Sequence, residues 1–141
     1  MTLGRRLCRN DRGAATIEMA FALPAFVLMT WMLLQLGLVY RAVAGMQHAL
    51  GQGARYATLC VNPSATGCAS PTAVQIKTMV NDSVYGTGPG TFTVADPVSG
   101  TSGASMYYDL TVDYTQQTNM LLFPGPTITV NRSKRVWIAG S

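Results

Sequence analysis

The chain is 141 residues long, 48% hydrophobic and only 11% charged, with a formal net charge of +4. That length holds at most one modest domain beside a membrane segment, and the charged share is under half of what a soluble domain carries. The positive charge is also misplaced for nucleic acid: Arg5, Arg6, Arg9 and Arg12 against Asp11 leave +3 in the first thirteen residues, whereas beyond Gly13 six bases face five acids.

The arginine-rich start directly precedes an uncharged run, Met19 to Tyr40, whose 22 residues match the roughly 20 that cross a bilayer as a helix. Under the positive-inside rule the leader is a cytoplasmic anchor, which puts everything after Tyr40 outside the cytoplasm. Pro24 predicts a kink in the first half of the span, and Thr30 and Gln35 are its strongly polar interruptions. Trp31, in mid-span, fits either a lipid-facing position or a contact with a neighbouring subunit.

Glu18 sits at the mouth of this run, where a charged carboxylate at depth costs on the order of a few kcal/mol. A cut between Gly13 and Ala14 would supply a counter-ion, an α-amino group one helical turn from Glu18, which becomes the fifth residue of the mature chain. Such a pair, within one chain or between neighbours, neutralises both charges in a low-dielectric bundle and fixes helix register.

The helical pattern continues past the span. Val39, Val43, Met46, Leu50, Ala54 and Ala57 recur at spacings of three and four, with Arg41, His48, Gln52 and Arg55 opposite. One helix from about Ala14 to Leu59 is expected, roughly 70 Å long. Gly45, Gly51 and Gly53 each weaken its upper half by up to about 1 kcal/mol.

Cys8 lies in the leader, while Cys60 and Cys68 flank seven residues of the exported part. An oxidising compartment and a short loop predict a Cys60–Cys68 disulfide. His48 alone is too little to make the pair a metal site.

Ser70-Pro71 then reads as an N-cap followed by proline at the first helical position, opening a helix whose face is Ala73, Ile76, Val80 and Val84 and which ends near Gly86. Three strands are expected after it: Thr91 to Ala95, a run alternating through Met106, Tyr108, Leu110, Val112 and Tyr114, and Thr127 to Ile138. Ser99–Gly103 and Pro124–Pro126 read as their connections. The expected fold is α+β, a long N-terminal helix packed on a small domain with a second helix and a three-stranded antiparallel sheet. Its parts are a leader over 1–13, a transmembrane and assembly helix over 14–40, its amphipathic continuation over 41–60 and an exported domain over 61–141.

Little here could build an active site. His48 lies on a polar stripe, Asp109 and Asp113 fall on the solvent phase of their strand, and Arg132, Lys134 and Arg135 read as a solvated strand face or a docking patch for an acidic partner or lipid headgroups. The sequences Gly51-Gln-Gly53 and Gly86-x-Gly88-x-Gly90 lack the strand–turn–helix setting of a phosphate loop. No catalysis, cofactor or metal is expected.

The run from Arg12 to Pro24, Arg-Gly-Ala-Ala-Thr-Ile-Glu-Met-Ala-Phe-Ala-Leu-Pro, resembles the N-terminus of TadE-like pseudopilins of tight-adherence (Tad) pili, and residues 47–57 resemble the helix that follows in that family. The resemblance covers about residues 9 to 57. It implies a pilin-like fold, a membrane prepilin peptidase that cuts at Gly13–Ala14, and Glu18 as recognition and assembly residue. It also implies a minor pilin in the inner membrane with its C-terminal domain in the periplasm, later reaching the pilus and cell surface. Implied partners are a major pilin, a second pseudopilin and an assembly platform with its ATPase. Met19, where the short major pilins often carry tyrosine, and a mature chain of 128 of the 141 residues favour a minor component, TadE-like or TadF-like. Two other readings stay open. Ala42-Val43-Ala44 before Gly45 fits ordinary signal cleavage and a secreted binding protein, and an uncleaved bitopic anchor would display an adhesion or accessory domain.

Overall fold

A computed structural model describes residues 11–59, 62–64, 67–84, 89–103, 105–121 and 123–138, with side chains at 11, 12, 62–64, 67 and 68 left undescribed. Most of the leader, and Cys8 and Cys60 with it, lies outside the described residues. Helix α1 runs unbroken over Asp11–Ala57, 47 residues and about 70 Å. Strands β1 (Asn62–Ser64) and β2 (Gly67–Ala69) form a small antiparallel pair, with Cys68 in β2. Helix α2 follows over Ala73–Val84, then β3 (Thr91–Val94), β4 (Val98–Ser102), β5 (Ser105–Asn119) and β6 (Pro124–Trp137).

The start of α2 differs from the expectation. The Thr72 N–H donates to Gln75 Oε1 at 2.9 Å and the Gln75 N–H donates to Thr72 Oγ1 at 3.4 Å, a reciprocal capping box. Thr72 is therefore the N-cap, with Pro71 buried just before it, and Ser70 lies two residues outside. Threonine with glutamine three residues on satisfies two orphan donors, which serine before proline does not.

The sheet is antiparallel, as expected, but has four strands rather than three. The central β5 pairs with β6 along one edge and with β3 and β4, end to end, along the other. Thr91 faces Thr115 and Val98 faces Asp109, a register offset of one residue between β3 and β4 across Ala95-Asp96-Pro97. Pro97 has no N–H for the ladder, so pairing breaks there and resumes. Ser99–Gly103, read as a connection, is mostly strand: β4 is small, polar and largely exposed, so no apolar alternation announces it. Ser102 pairs with Ser105, and Gly103, just past Ser102, takes the left-handed φ of 64° that glycine tolerates. Likewise Pro124–Pro126 opens β6 instead of preceding it. Among the described residues β6 is paired along one side, so a proline there need not cost a ladder bond.

Upper α1, α2 and the inner sheet face enclose one core. Met46, Ile76, Val80, Val84, Leu110, Val112 and Tyr114 are its largest fully buried side chains. Along α1 the buried positions are Ala42, Met46, Ala49, Leu50, Gly53 and Ala57, with Val39, Val43 and Ala54 half-buried. The expected stripe is thus correct in period but centred more on the small residues, because two further layers crowd against it. Gly53 marks the closest approach: a Cβ there would lie 2.2 Å from Val80 Cγ2 and 3.3 Å from Leu110 Cδ1.

On the outer face, Asp109 of β5 lies opposite Arg135 of β6, which donates from both Nε and Nη2 at 2.8 Å and stacks 4.0 Å over the Tyr107 ring. Asp113 accepts from the Asn131 amide at 2.6 Å. Both acids lie on the outer face and tie β5 to β6. Hydrogen bonds from Arg135, aided by its charge, hold the Asp109 carboxyl below its usual 3.8.

Two predictions follow from this packing. In the full chain in detergent, Gly53→Ala is expected to lower unfolding stability by about 1–3 kcal/mol, since buried, β-branched Val80 cannot yield. By contrast Gly51→Ala, with nothing within 4 Å, should raise it by up to about 1 kcal/mol. Urea titration of near-ultraviolet dichroism reads both. Because the folded-state value of Asp109 is depressed, its contribution is present above pH 3.8 and is lost as pH falls through that lower value. Asp109→Asn should therefore lower the urea midpoint at neutral pH and flatten its decline below pH 3.8.

Candidate functional site: the stem of the long helix

The lower half of α1 is apolar and has almost no packing of its own. Met19, Phe21, Leu23, Phe26 and Met29 are all exposed, Phe21 by 78%. Helices bury such faces in protein or in lipid, and the helix is long and apolar enough to cross a membrane. This fits membrane anchoring. Pro24 lies inside the helix and cannot donate to the Ala20 carbonyl, while the Thr30 hydroxyl satisfies the Phe26 carbonyl at 2.9 Å.

Gly13, Ala14 and Glu18 lie exposed on the first turns of α1. A Cβ added at Gly13 would meet nothing within 4 Å, so no packing requires glycine at that position. Ala14 and Glu18 are four residues apart, about 6 Å along the axis and on one face. Among the described residues, no cation pairs with Glu18. Cys68 lies in β2 opposite Pro63, and its pairing with Cys60 falls outside the described residues.

The strands contribute contacts that sequence reasoning missed. Strand β5 runs antiparallel to α1, and the long β5–β6 hairpin reaches down beside the stem. Leu110 faces Gly53, the Gln116 amide donates to Gln35 Oε1 at 3.3 Å, and the Trp31 indole N–H donates to the Asn119 carbonyl at 2.6 Å. Gly53 to Trp31 is about 33 Å of helix, and Leu110 to Asn119 is about 30 Å of strand, so the two track each other. Buried Gln116 also accepts from the Tyr114 hydroxyl at 2.5 Å, which itself accepts from the Gly90 N–H at 3.0 Å. Gln35, read as an interruption of a lipid span, is thus tied to the sheet, and Trp31 contacts its own chain. A polar residue in an apolar run, and the matching glutamines in β5, were the available signals.

Higher up, a cleft of about 720 Å³ opens between the polar stripe of α1 and β6, lined by His48, Gln52, Arg55 and Lys134 among others. His48 is exposed there, as its stripe position implied, and Lys134 and Arg132 are also exposed. Among the described residues, no group of three or more metal-ligating side chains is found.

A family model described as TadE-like protein matches residues 13–55, from the first turns of the stem to the last turn of α1. No curated protein and no solved structure matches the chain. The match lies within the stretch singled out by the motif around Gly13 and Glu18, and it covers both the bare stem and the stripe that packs on the domain. From Gly13 to Arg55 the chain is similar to TadE-like proteins, a likeness consistent with a Tad pilus-associated protein.

Proposed function

We propose that this protein is a minor pilin, cut between Gly13 and Ala14 by a prepilin peptidase, whose stem then passes from the inner membrane into the base or tip of a Tad pilus. The observation that carries the proposal is the bare stem itself: an exposed apolar helix with one carboxylate, Glu18, a turn beyond an unpacked glycine. Gly13 costs a helix about 1 kcal/mol relative to Ala. The helix start can therefore unwind into a peptidase without disturbing the domain some 40 Å above. Cleavage creates the amine that answers Glu18. In the assembly, the exposed faces of several stems bury one another, with a major pilin and a second pseudopilin as neighbours and a membrane platform driving extraction. The protein is non-catalytic in this reading.

Cleavage after Ala44 fits the fold poorly. It would remove Trp31, Gln35 and buried Ala42 and cut α1 through its packed half, leaving Gln116 without its partner on the helix. An uncleaved bitopic anchor keeps all of these contacts and differs only in its first residue.

Intact-mass and N-terminal analysis of the membrane-fraction protein separates these readings. The proposal expects a chain beginning at Ala14, and Gly45 or Met1 at the terminus would select the secreted form or the anchor. The same spectrum should show the mature chain lighter by two hydrogens before reduction, as a Cys60–Cys68 disulfide requires. Its closed loop would stabilise the domain by about 2–3 kcal/mol. Glu18→Ala is expected to leave the urea midpoint of the domain unchanged while abolishing incorporation into sheared pili. Normal piliation by that variant would refute the charge-pairing role.

A further inference from the structure

The β5–β6 turn is the most apolar exposed loop described. Met120, Leu121, Phe123 and Pro124 lie in the turn and the first residue of β6, with Leu121 50% and Phe123 60% exposed. The Met120 N–H donates to the Phe123 carbonyl at 3.0 Å, so the turn is closed and its apolar side chains project from a fixed base. Leu28, Trp31 and Met32 of the stem line a narrow cleft of about 90 Å³ with Met120 and Phe123. The apolar turn and the apolar stem therefore form one continuous surface. Charge also withdraws from this end of the molecule. From Tyr114 to Asn131 there is no charged residue, whereas Asp109, Asp113, Arg132, Lys134 and Arg135 crowd the other end of the same hairpin.

We propose that the β5–β6 turn is a second membrane contact, seated in the lipid interface of the outer leaflet beside Trp31, and that it sets the depth of the stem. Were Met19 to Tyr40 to fill the hydrocarbon, the turn, nine residues below Tyr40, would lie about 14 Å inside it. Exposed Thr115, Gln117 and Asn119 and the unpaired edge of β6 would then face acyl chains, which open sheet edges do not do. With the turn at the interface, Trp31 takes the interfacial position that tryptophan favours. Counting back the roughly 20 residues of a span puts the cytoplasmic boundary at Asp11–Arg12, where the basic leader begins. The span then runs from about Arg12 to Trp31, and Glu18 moves from the mouth of the membrane to about 9 Å inside it. The occupant of the apolar turn is lipid, because the surface is continuous with the stem that enters the bilayer and carries no charge to address a protein.

The placement is independent of any cut at Gly13 and is tested on the full chain in phosphatidylethanolamine–phosphatidylglycerol vesicles. A photoreactive benzophenone amino acid replaces Leu121, Phe21, Tyr40 or Thr101, one at a time. All four residues are exposed, so the fold tolerates the probe. After illumination, mass spectrometry should find phospholipid adducts at Leu121 in yield comparable to Phe21, with loss of adduct at Thr101 and Tyr40. Absence of lipid adduct at Leu121 would overturn the proposal, as would adduct at Tyr40 equal to that at Phe21. Leu121 adducts to a second copy of the chain in place of lipid would make the turn a protein-docking surface and also refute it.

Discussion

A single unbroken helix couples the two ends of this molecule. The 47 residues of α1 form one helix, weakened by the backbone hydrogen bond that Pro24 cannot make, so how Met46, Leu50 and Gly53 seat in the core bears on the rotation and height of Glu18. The helix meets two settings in succession: an exposed apolar surface on nearly every side below, which fits a membrane, and protein on one side above. The burial stripe shows where the change is made. Trp31, Gln35, Leu38, Ala42, Met46, Ala49, Gly53 and Ala57 are half-buried or buried at spacings of three and four, so a packed face runs more than halfway down the helix.

Small residues make that seat possible. Ala42, Ala49, Gly53 and Ala57 let α2 and β5 approach closely, and the helix gives up propensity at Gly53 to gain contact with Val80 and Leu110. An apolar contact of this kind holds a register only if it is deep, and the polar ties from Gln35 to Gln116 and from Trp31 to Asn119 reinforce it at the lower end. Each tie is worth about 1 kcal/mol. They sit far from the core, however, where a given energy resists rotation of the stem about the core with the longest lever arm.

The helices were legible in the sequence because long amphipathic periodicity is a strong signal: the continuous α1, the face of α2 and the phase of β5 all followed from spacing alone. The likeness of the stem to TadE-like proteins was legible from Gly13 to Glu18 for a different reason, since a carboxylate at the edge of an uncharged run is chemically expensive. Features held by the backbone, or by side chains far apart in the chain, could not be read. Strand β4 has no buried face to alternate, the cap at Thr72 depended on Gln75 reaching back, and Gly53 looked like a helix weakness until Val80 was placed against it. The descent of the hairpin alongside Trp31 joins residues 88 apart and has no local signature beyond its missing charges.

Were the chain cut at Gly13 as proposed, the new amine could meet Glu18 of its own chain or of a neighbour. A freed amine at Ala14 would sit at the positive end of the helix macrodipole, where a cation is disfavoured and an anion such as Glu18, one turn in, is helped. Within one chain the amine and carboxylate share that terminus, so only the carboxylate gains from it. A neighbour displaced along the fibre axis can bring its carboxylate to the amine, and a pair of charges about 4 Å apart at an effective dielectric of 20 attracts by about 4 kcal/mol. The cost of leaving either charge unpaired in hydrocarbon is of similar size. In the proposed assembly, subunits that met out of register would forfeit both terms, and the continuous α1 would carry a register chosen at Glu18 toward the domains above.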